Sequence, residues 1–223
     1  TGVNIGDFGR GSNERFIDLI KAIDKLTAEV RVRISSVEPN LLEDAIIDIV
    51  ASSKIIAPHF HIPLQSGSNR VLSLMGRRYT REVFGQKVSL IKRLIPDAFI
   101  GVDVIVGMRG ETADMFDETL AFLGDTPFSE LHIFPYSERE GTKALSIKPI
   151  VSQSEKKRRS ELLHNLSDSR IADFYRSQRG KTKTVLWETT KNPKAMNGYT
   201  ENYLLVSAEM EQEKINTFQK IVF

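Results

Sequence analysis

Ile100-Gly101-Val102-Asp103-Val104-Ile105-Val106-Gly107 is the stretch that decides the fold. It is mostly apolar and β-branched and it stops at a glycine, as a strand covered on both faces does. The residues after it predict a helix over about 112–123 with Thr112 as its N-cap, and then a strand over about 130–136. Strands separated by single helical segments are βαβ units, whose strands run parallel and whose ligand-binding loops lie at the strands' C-terminal ends.

The same cycle extends upstream. His59-Phe60-His61-Ile62, bracketed by Pro58 and Pro63, predicts a short strand, followed by the turn Gln65-Ser66-Gly67-Ser68 and a helix through Val71, Leu72 and Met75. A further helix uses Val83, Phe84, Val88, Ile91 and Leu94. Before these, Leu42, Ala45, Ile46 and Ile49 share one helix face. Val30-Arg31-Val32-Arg33-Ile34 alternates with the period of a strand. Phe16, Leu19, Ile20, Ile23 and Leu26 recur at helical spacing over about 13–27. The opening Gly2-Val3-Asn4-Ile5-Gly6-Asp7-Phe8-Gly9 reads as a loop after a strand upstream of Thr1, which predicts a chain shortened at its N-terminus. The expected fold class is α/β, with a partial TIM-like (βα) barrel over 1–151 that is incomplete rather than closed.

Downstream the composition shifts. A long polar helix over 152–179, opening with Lys156-Lys157-Arg158-Arg159, is predicted as a connector. Over 180–223, β-prone segments at 184–187, 203–206 and 215–223, separated by Asn-Pro and Asn-Gly turns, predict a small β-barrel. A formal charge of +2 over 223 residues is too small to mark a nucleic-acid binder by bulk electrostatics, so any basic surface must be local. No apolar run is long enough to span a membrane and no basic-then-apolar leader opens the chain, so a cytoplasmic location is expected, with no membrane partner. The absence of cysteine excludes disulfides and thiolate metal sites within these residues.

Read in order, the strand-end turns carry a resemblance. They are Gly2-Val3-Asn4, Ser35-Ser36-Val37-Glu38-Pro39, His61-Ile62-Pro63-Leu64-Gln65-Ser66-Gly67-Ser68, Met75-Gly76-Arg77-Arg78-Tyr79, Asp103-Val104-Ile105-Val106-Gly107 and Phe134-Pro135-Tyr136-Ser137. The set resembles the radical S-adenosylmethionine (SAM) methylthiotransferases, and the opening loop is most similar to the branch acting on threonylcarbamoyladenosine beside the tRNA anticodon. Sister branches act on isopentenyladenosine or a ribosomal-protein aspartate. Gly198-Tyr199-Thr200-Glu201-Asn202-Tyr203 is similar to that family's RNA-binding TRAM barrel. The chain departs from the family at Gly107-Met108-Arg109-Gly110-Glu111, where members usually carry Gly-Phe-Pro-Gly-Glu.

The resemblance implies tRNA as substrate, S-adenosylmethionine as cofactor, and iron–sulfur clusters whose cysteine ligands lie outside these residues, so that the chain alone is expected to be inactive. It does not name the sulfur donor. By the same resemblance, Gly2 and Asn4 approach the methionyl amino end of the cofactor, and Ser36 and Glu38 its methionyl or ribose portion. Gln65, Ser66 and Ser68 face the ribose, and Val106, Gly107 and Tyr136 border the adenine. Arg77, Arg78, Lys181, Lys183, Tyr199 and Tyr203 are the candidates for RNA.

Each piece has a plainer reading. Gln65 to Ser68 taken alone is a βα turn with Ser68 capping the next helix, and Gly107 a turn glycine. Arg77 and Arg78 are equally a solvated pair at a helix end. His59 and His61 share one strand face, but with no third ligand near in sequence they read as packed or hydrogen-bonded histidines rather than a metal site. Two other functions compete: an RNA-binding scaffold retaining a non-catalytic barrel, and a barrel enzyme for a phosphorylated metabolite, which would bind phosphate without the cofactor.

Overall fold

A computed structural model describes residues 5–9 and 11–223. Three strands, β1 (His59–Gln65), β2 (Phe99–Val106) and β3 (Glu130–Pro135), form a parallel sheet in that order. His61 lies beside Gly101, which lies beside Glu130, and Asp103 lies beside His132. Helices α1 (Phe16–Asp24), α2 (Asp44–Ser52), α3 (Asn69–Leu74), α4 (Arg81–Leu94) and α5 (Ala113–Asp125) fill the connections. Thr112 caps α5 as expected, its hydroxyl accepting from the Met115 amide.

The sheet's two faces differ by the period of the strand. Phe60, Ile62, Leu64, Ile100, Val102, Val104, Val106 and Leu131 point one way, into a core closed by Ile46, Ile47, Phe84, Val88, Ile91, Phe116 and Leu123 from the helices. His59, His61, Asp103, Glu130 and His132 occupy the alternate positions and face the other way.

The strand expected at Val30 to Ile34 is reduced to one parallel bridge, Val32 to Ile56. The alternation is real, but its two basic residues are drawn off the ladder. The Arg31 guanidinium donates to the carbonyls of Tyr199 and Thr184 at 2.7 and 2.8 Å, and Arg33 lies over the Tyr203 ring at 4.4 Å.

The long helix α6 (Gln153–Gln178) starts at Ser152, whose hydroxyl accepts from the Glu155 amide. It does more than connect. Leu163 is in the main core, the Ser167 hydroxyl accepts from the Leu131 amide, and Phe174 packs edge-on against Phe99. Beyond it, β4 (Thr182–Thr189), β5 (Ala195–Tyr199), β6 (Leu205–Glu209) and β7 (Phe218–Val222) form an antiparallel sheet in the order β6-β5-β4-β7, around Val185, Trp187 and Met196. Asn197-Gly198, expected as a turn, lies inside β5, where Gly198 lets Val185 and the Leu186 carbonyl come close. Trp187 is core. Among the described residues no helix is long and apolar enough to cross a membrane.

Candidate cofactor site at the strand ends

The C-terminal ends of β1, β2 and β3 carry the residues expected to hold a ligand, and the structure sorts them. Gln65 ends β1 with a left-handed backbone (φ 66°), unusual for a residue with a Cβ. Its side chain makes no hydrogen bond to any described residue, so its amide is available at the mouth of the sheet. The Ser36 hydroxyl is likewise without a described partner.

Ser66 and Ser68 are engaged within the fold. Both are buried, the Ser66 hydroxyl lying 3.1 Å from that of Thr119 on α5 and the Ser68 hydroxyl donating to Glu118 at 2.5 Å. The Gly67 amide donates to the same Thr119 oxygen, and a Cβ at Gly67 would lie 2.8 Å from the Thr119 backbone. Their hydroxyls clamp the turn to α5. Ser68 sits at the N-cap of α3 but makes no capping bond there.

The Val106 side chain is in the core, and its carbonyl accepts from the Tyr136 amide at 2.8 Å. Gly107 turns with φ 75°. Its amide donates to the Glu111 carboxylate at 2.5 Å, and that of Met108 at 3.1 Å. Glu111 is itself buried against Arg159, 3.4 Å away. Burial pushes its carboxyl above the ordinary range against the opposing pull of Arg159 and the two amides. The loop departing from the family pattern is thus closed by a buried ion pair.

Tyr136 borders this turn, its carbonyl accepting from the Lys156 ammonium at 2.8 Å. Lys156 and Arg159, in the basic run that opens the long helix, are both buried and hold strand-end loops. Glu38 pairs with Arg77 at 3.0 Å, and with Arg78, Asn40 and Met75 they line an open polar cleft. Gly2 and Asn4 lie outside the described residues.

Lower on the sheet's open face is a group that sequence spacing missed. His61 Nε2 is 2.6 Å from Asp103 Oδ1, and the ligand atoms of His61, Asp103 and His132 all lie within 4.8 Å of one another. The third ligand found wanting for His61 comes from neighbouring strands, although the hydrogen bond already satisfies His61 and Asp103. Glu130, 3.8 Å away, holds His132 above the ordinary imidazole range. His59 is buried against Phe99 and Tyr203; burial holds it at about 3, so it is neutral.

In the tail, Tyr199 and Tyr203 stack on each other with centroids 4.5 Å apart and line this same cleft. They face the parallel sheet. Lys183 is 5% exposed and paired with Asp97 and Glu201, and Lys181 is bound to Asp97 at 2.6 Å.

Residues 8–123 match the family model described as the radical SAM superfamily. The chain belongs to the radical SAM superfamily. Within it, the chain is 34% identical over 99% of its length to threonylcarbamoyladenosine tRNA methylthiotransferase MtaB of Bacillus subtilis, and 36% identical over 96% to its namesake in Aquifex aeolicus. It is 35% identical over 96% of its length to the tRNA-2-methylthio-N(6)-dimethylallyladenosine synthase of Staphylococcus epidermidis. It spans 50%, 51% and 42% of these three relatives. Among solved structures, the radical SAM enzyme coproporphyrinogen III oxidase of Escherichia coli shares the fold, with a TM-score of 0.52 at 19% identity over 73% of this chain and 36% of that one.

Proposed function

We propose that these residues are the cofactor-binding barrel segment and RNA-binding tail of a tRNA methylthiotransferase that places a methylthio group at C2 of threonylcarbamoyladenosine beside the anticodon. The observation that carries the reading is similarity over 96–99% of this chain to relatives of that name, half of whose length it spans, joined to a parallel sheet whose strand ends present unengaged polar groups. S-adenosylmethionine, when bound, supplies the radical and the methyl group. Gln65 and Ser36 fit its hydroxyl, amino and carboxylate groups because nothing else described claims them, while Tyr136 and the backbone at Gly107 border its base. Iron–sulfur clusters do not fit these residues, since there is no cysteine among the 223, and their ligands must come from elsewhere in the working enzyme.

Four antiparallel strands, with exposed Lys191 and Lys194 at the β4–β5 turn, support the reading of 180–223 as a TRAM-like RNA-binding module following a barrel segment over 1–151.

The test is anaerobic turnover of the full-length protein on anticodon stem-loops carrying threonylcarbamoyladenosine or dimethylallyladenosine, read by mass spectrometry of the nucleosides. Methylthiolation of the first is expected. Modification of the second alone, or cofactor binding with no product from either, would sink the reading. Under the same conditions the 223 residues alone should bind the cofactor without producing 5′-deoxyadenosine, and Gln65→Ala should weaken that binding about tenfold, the cost of about one hydrogen bond to a charged group.

A further inference from the structure

Parallel strands in register carry their side chains across the open face of the sheet in rows. His61, Gly101 and Glu130 lie side by side in one row, and Pro63, Asp103 and His132 in the next. Gly101 therefore has an imidazole on one side, a carboxylate on the other, and a second such pair one row on. It is the position in this block without a side chain. A Cβ there would lie 3.7 Å from His132 Nε2, so the glycine keeps open the space that these groups border. Solvent reaches that space, because His61, Gly101, Glu130 and His132 line a cleft of about 330 Å³.

The groups around it are a metal-ligand set. The ligand atoms of His61, Asp103 and His132 all lie within 4.8 Å of one another, and each side chain is partly buried. Two imidazole nitrogens and one carboxylate oxygen suit borderline divalent ions such as zinc or iron(II), with positions left for water. A ligating histidine is normally oriented by a neighbouring carboxylate, and Glu130 lies 3.8 Å from His132 Nε2. The charge has the right sign. With both imidazoles neutral, Asp103 and Glu130 outweigh the single guanidinium of Arg33 at the edge of the cleft. The contact of 2.6 Å between His61 Nε2 and Asp103 Oδ1 already brings two of the ligands together. Coordination exchanges that hydrogen bond for two bonds to the ion, with the imidazole proton carried on Nδ1.

We propose that His61, Asp103 and His132 are the protein ligands of a divalent first-row transition-metal ion, with Glu130 orienting His132 and water completing the coordination. The site does not depend on the methylthiotransferase reading, and its test needs no turnover. The experiment is calorimetric titration of zinc into the chelator-treated 223-residue chain, whose lack of cysteine removes competing thiolate sites. One ion per chain is expected. Asp103→Asn and His132→Gln should each weaken binding at least tenfold, and Glu130→Gln about tenfold, as loss of an orienting partner does. His164→Gln, exposed on α6, should change nothing. Zinc should also raise the unfolding midpoint of the unaltered chain and not that of Asp103→Asn. The same comparison in the full-length protein with its clusters in place guards against a shorter chain that does not fold. Absence of binding in both proteins, or zinc held equally by Asp103→Asn and His132→Gln, would overturn the site and leave His61 and Asp103 a hydrogen-bonded pair.

Discussion

At the scale of single residues, the groups that matter most on the open face are set by burial. His59 is held neutral at about 3 because it is shut between Phe99 and Tyr203, with Arg33, His61 and His132 adding to the cost of a second proton. A folded-state value below the unfolded 6.5 means that the unfolded chain takes the proton first, so stability is intact above pH 6.5 and drains away as the pH falls toward 3. One proton corresponds to about 1.4 kcal/mol per pH unit, hence about 2 kcal/mol between pH 6.5 and 5, before most carboxylates titrate. His132, raised by Glu130, acts in the opposite sense, so the comparison must be with His59→Phe, which keeps the stack on Phe99 and removes the proton site. Urea unfolding at pH 7.5, 6.5 and 5 should show the unaltered protein losing about 2 kcal/mol more than the variant. Parallel curves would mean that His59 is not held neutral.

At the scale of elements, local pattern and packing divide the work unequally. The apolar, β-branched run of β2 and the helical spacing of α4 and α5 were legible because each residue's neighbours on its own element dictate them. The role of Ser66 was not, since the same Gln65-Ser66-Gly67-Ser68 turn suits either a ribose or Thr119, and Thr119 is 53 residues away. The His61–Asp103–His132 group was hidden for the same reason: parallel strands bring it together across helical crossovers. Lys156 and Arg159 look like a solvated charge run because the apolar stripe of α6 is sparse, and only tertiary structure turns them inward. Asn197-Gly198 misled most directly, because the pair is a hairpin signal and the glycine here serves close packing in β5. A Cβ at Gly198 would lie 2.3 Å from Val185 Cγ1 and 2.7 Å from the Leu186 carbonyl oxygen. Neither neighbour can retreat without breaking the β4–β5 ladder, so Gly198→Ala should cost about 1–3 kcal/mol, the usual range for overpacking. Hydrogen exchange should place that loss in β4 and β5 while β1 and β2 keep their protection; a uniform loss would mean that the tail does not open separately.

At the scale of the whole molecule, the two sheets are joined through a few polar anchors around Asp97, and these decide which tail cations are free to meet RNA. The Asp97 carboxylate accepts from Lys181 at 2.6 Å and lies 3.6 Å from Lys183, while its carbonyl accepts from Asn202 at 2.9 Å. Burial works against the charge of Asp97, but Lys181, Gln178 and Lys183 together hold it below the ordinary carboxylate range. Phe99, Phe174 and Leu204 complete the joint. A lysine committed in this way has its counterion built in and releases none on meeting a phosphate. Lys191 and Lys194, exposed at the β4–β5 turn and without an ion pair to any described residue, would release theirs on contact with a phosphate. Two variants of the full-length protein separate the roles. Lys183→Met should lower the unfolding midpoint, because Asp97 and Glu201 lose a buried partner, yet leave the salt dependence of tRNA binding unchanged. Lys191→Ala with Lys194→Ala should leave the midpoint alone and flatten the plot of log affinity against log salt by about 1.4 to 1.8, at about 0.7 to 0.9 for each phosphate no longer neutralised. Filter binding from 50 to 300 mM salt measures both slopes. A shallower slope for Lys183→Met, or no change for the double variant, would place the RNA on the barrel joint and not on the outer turn of the tail.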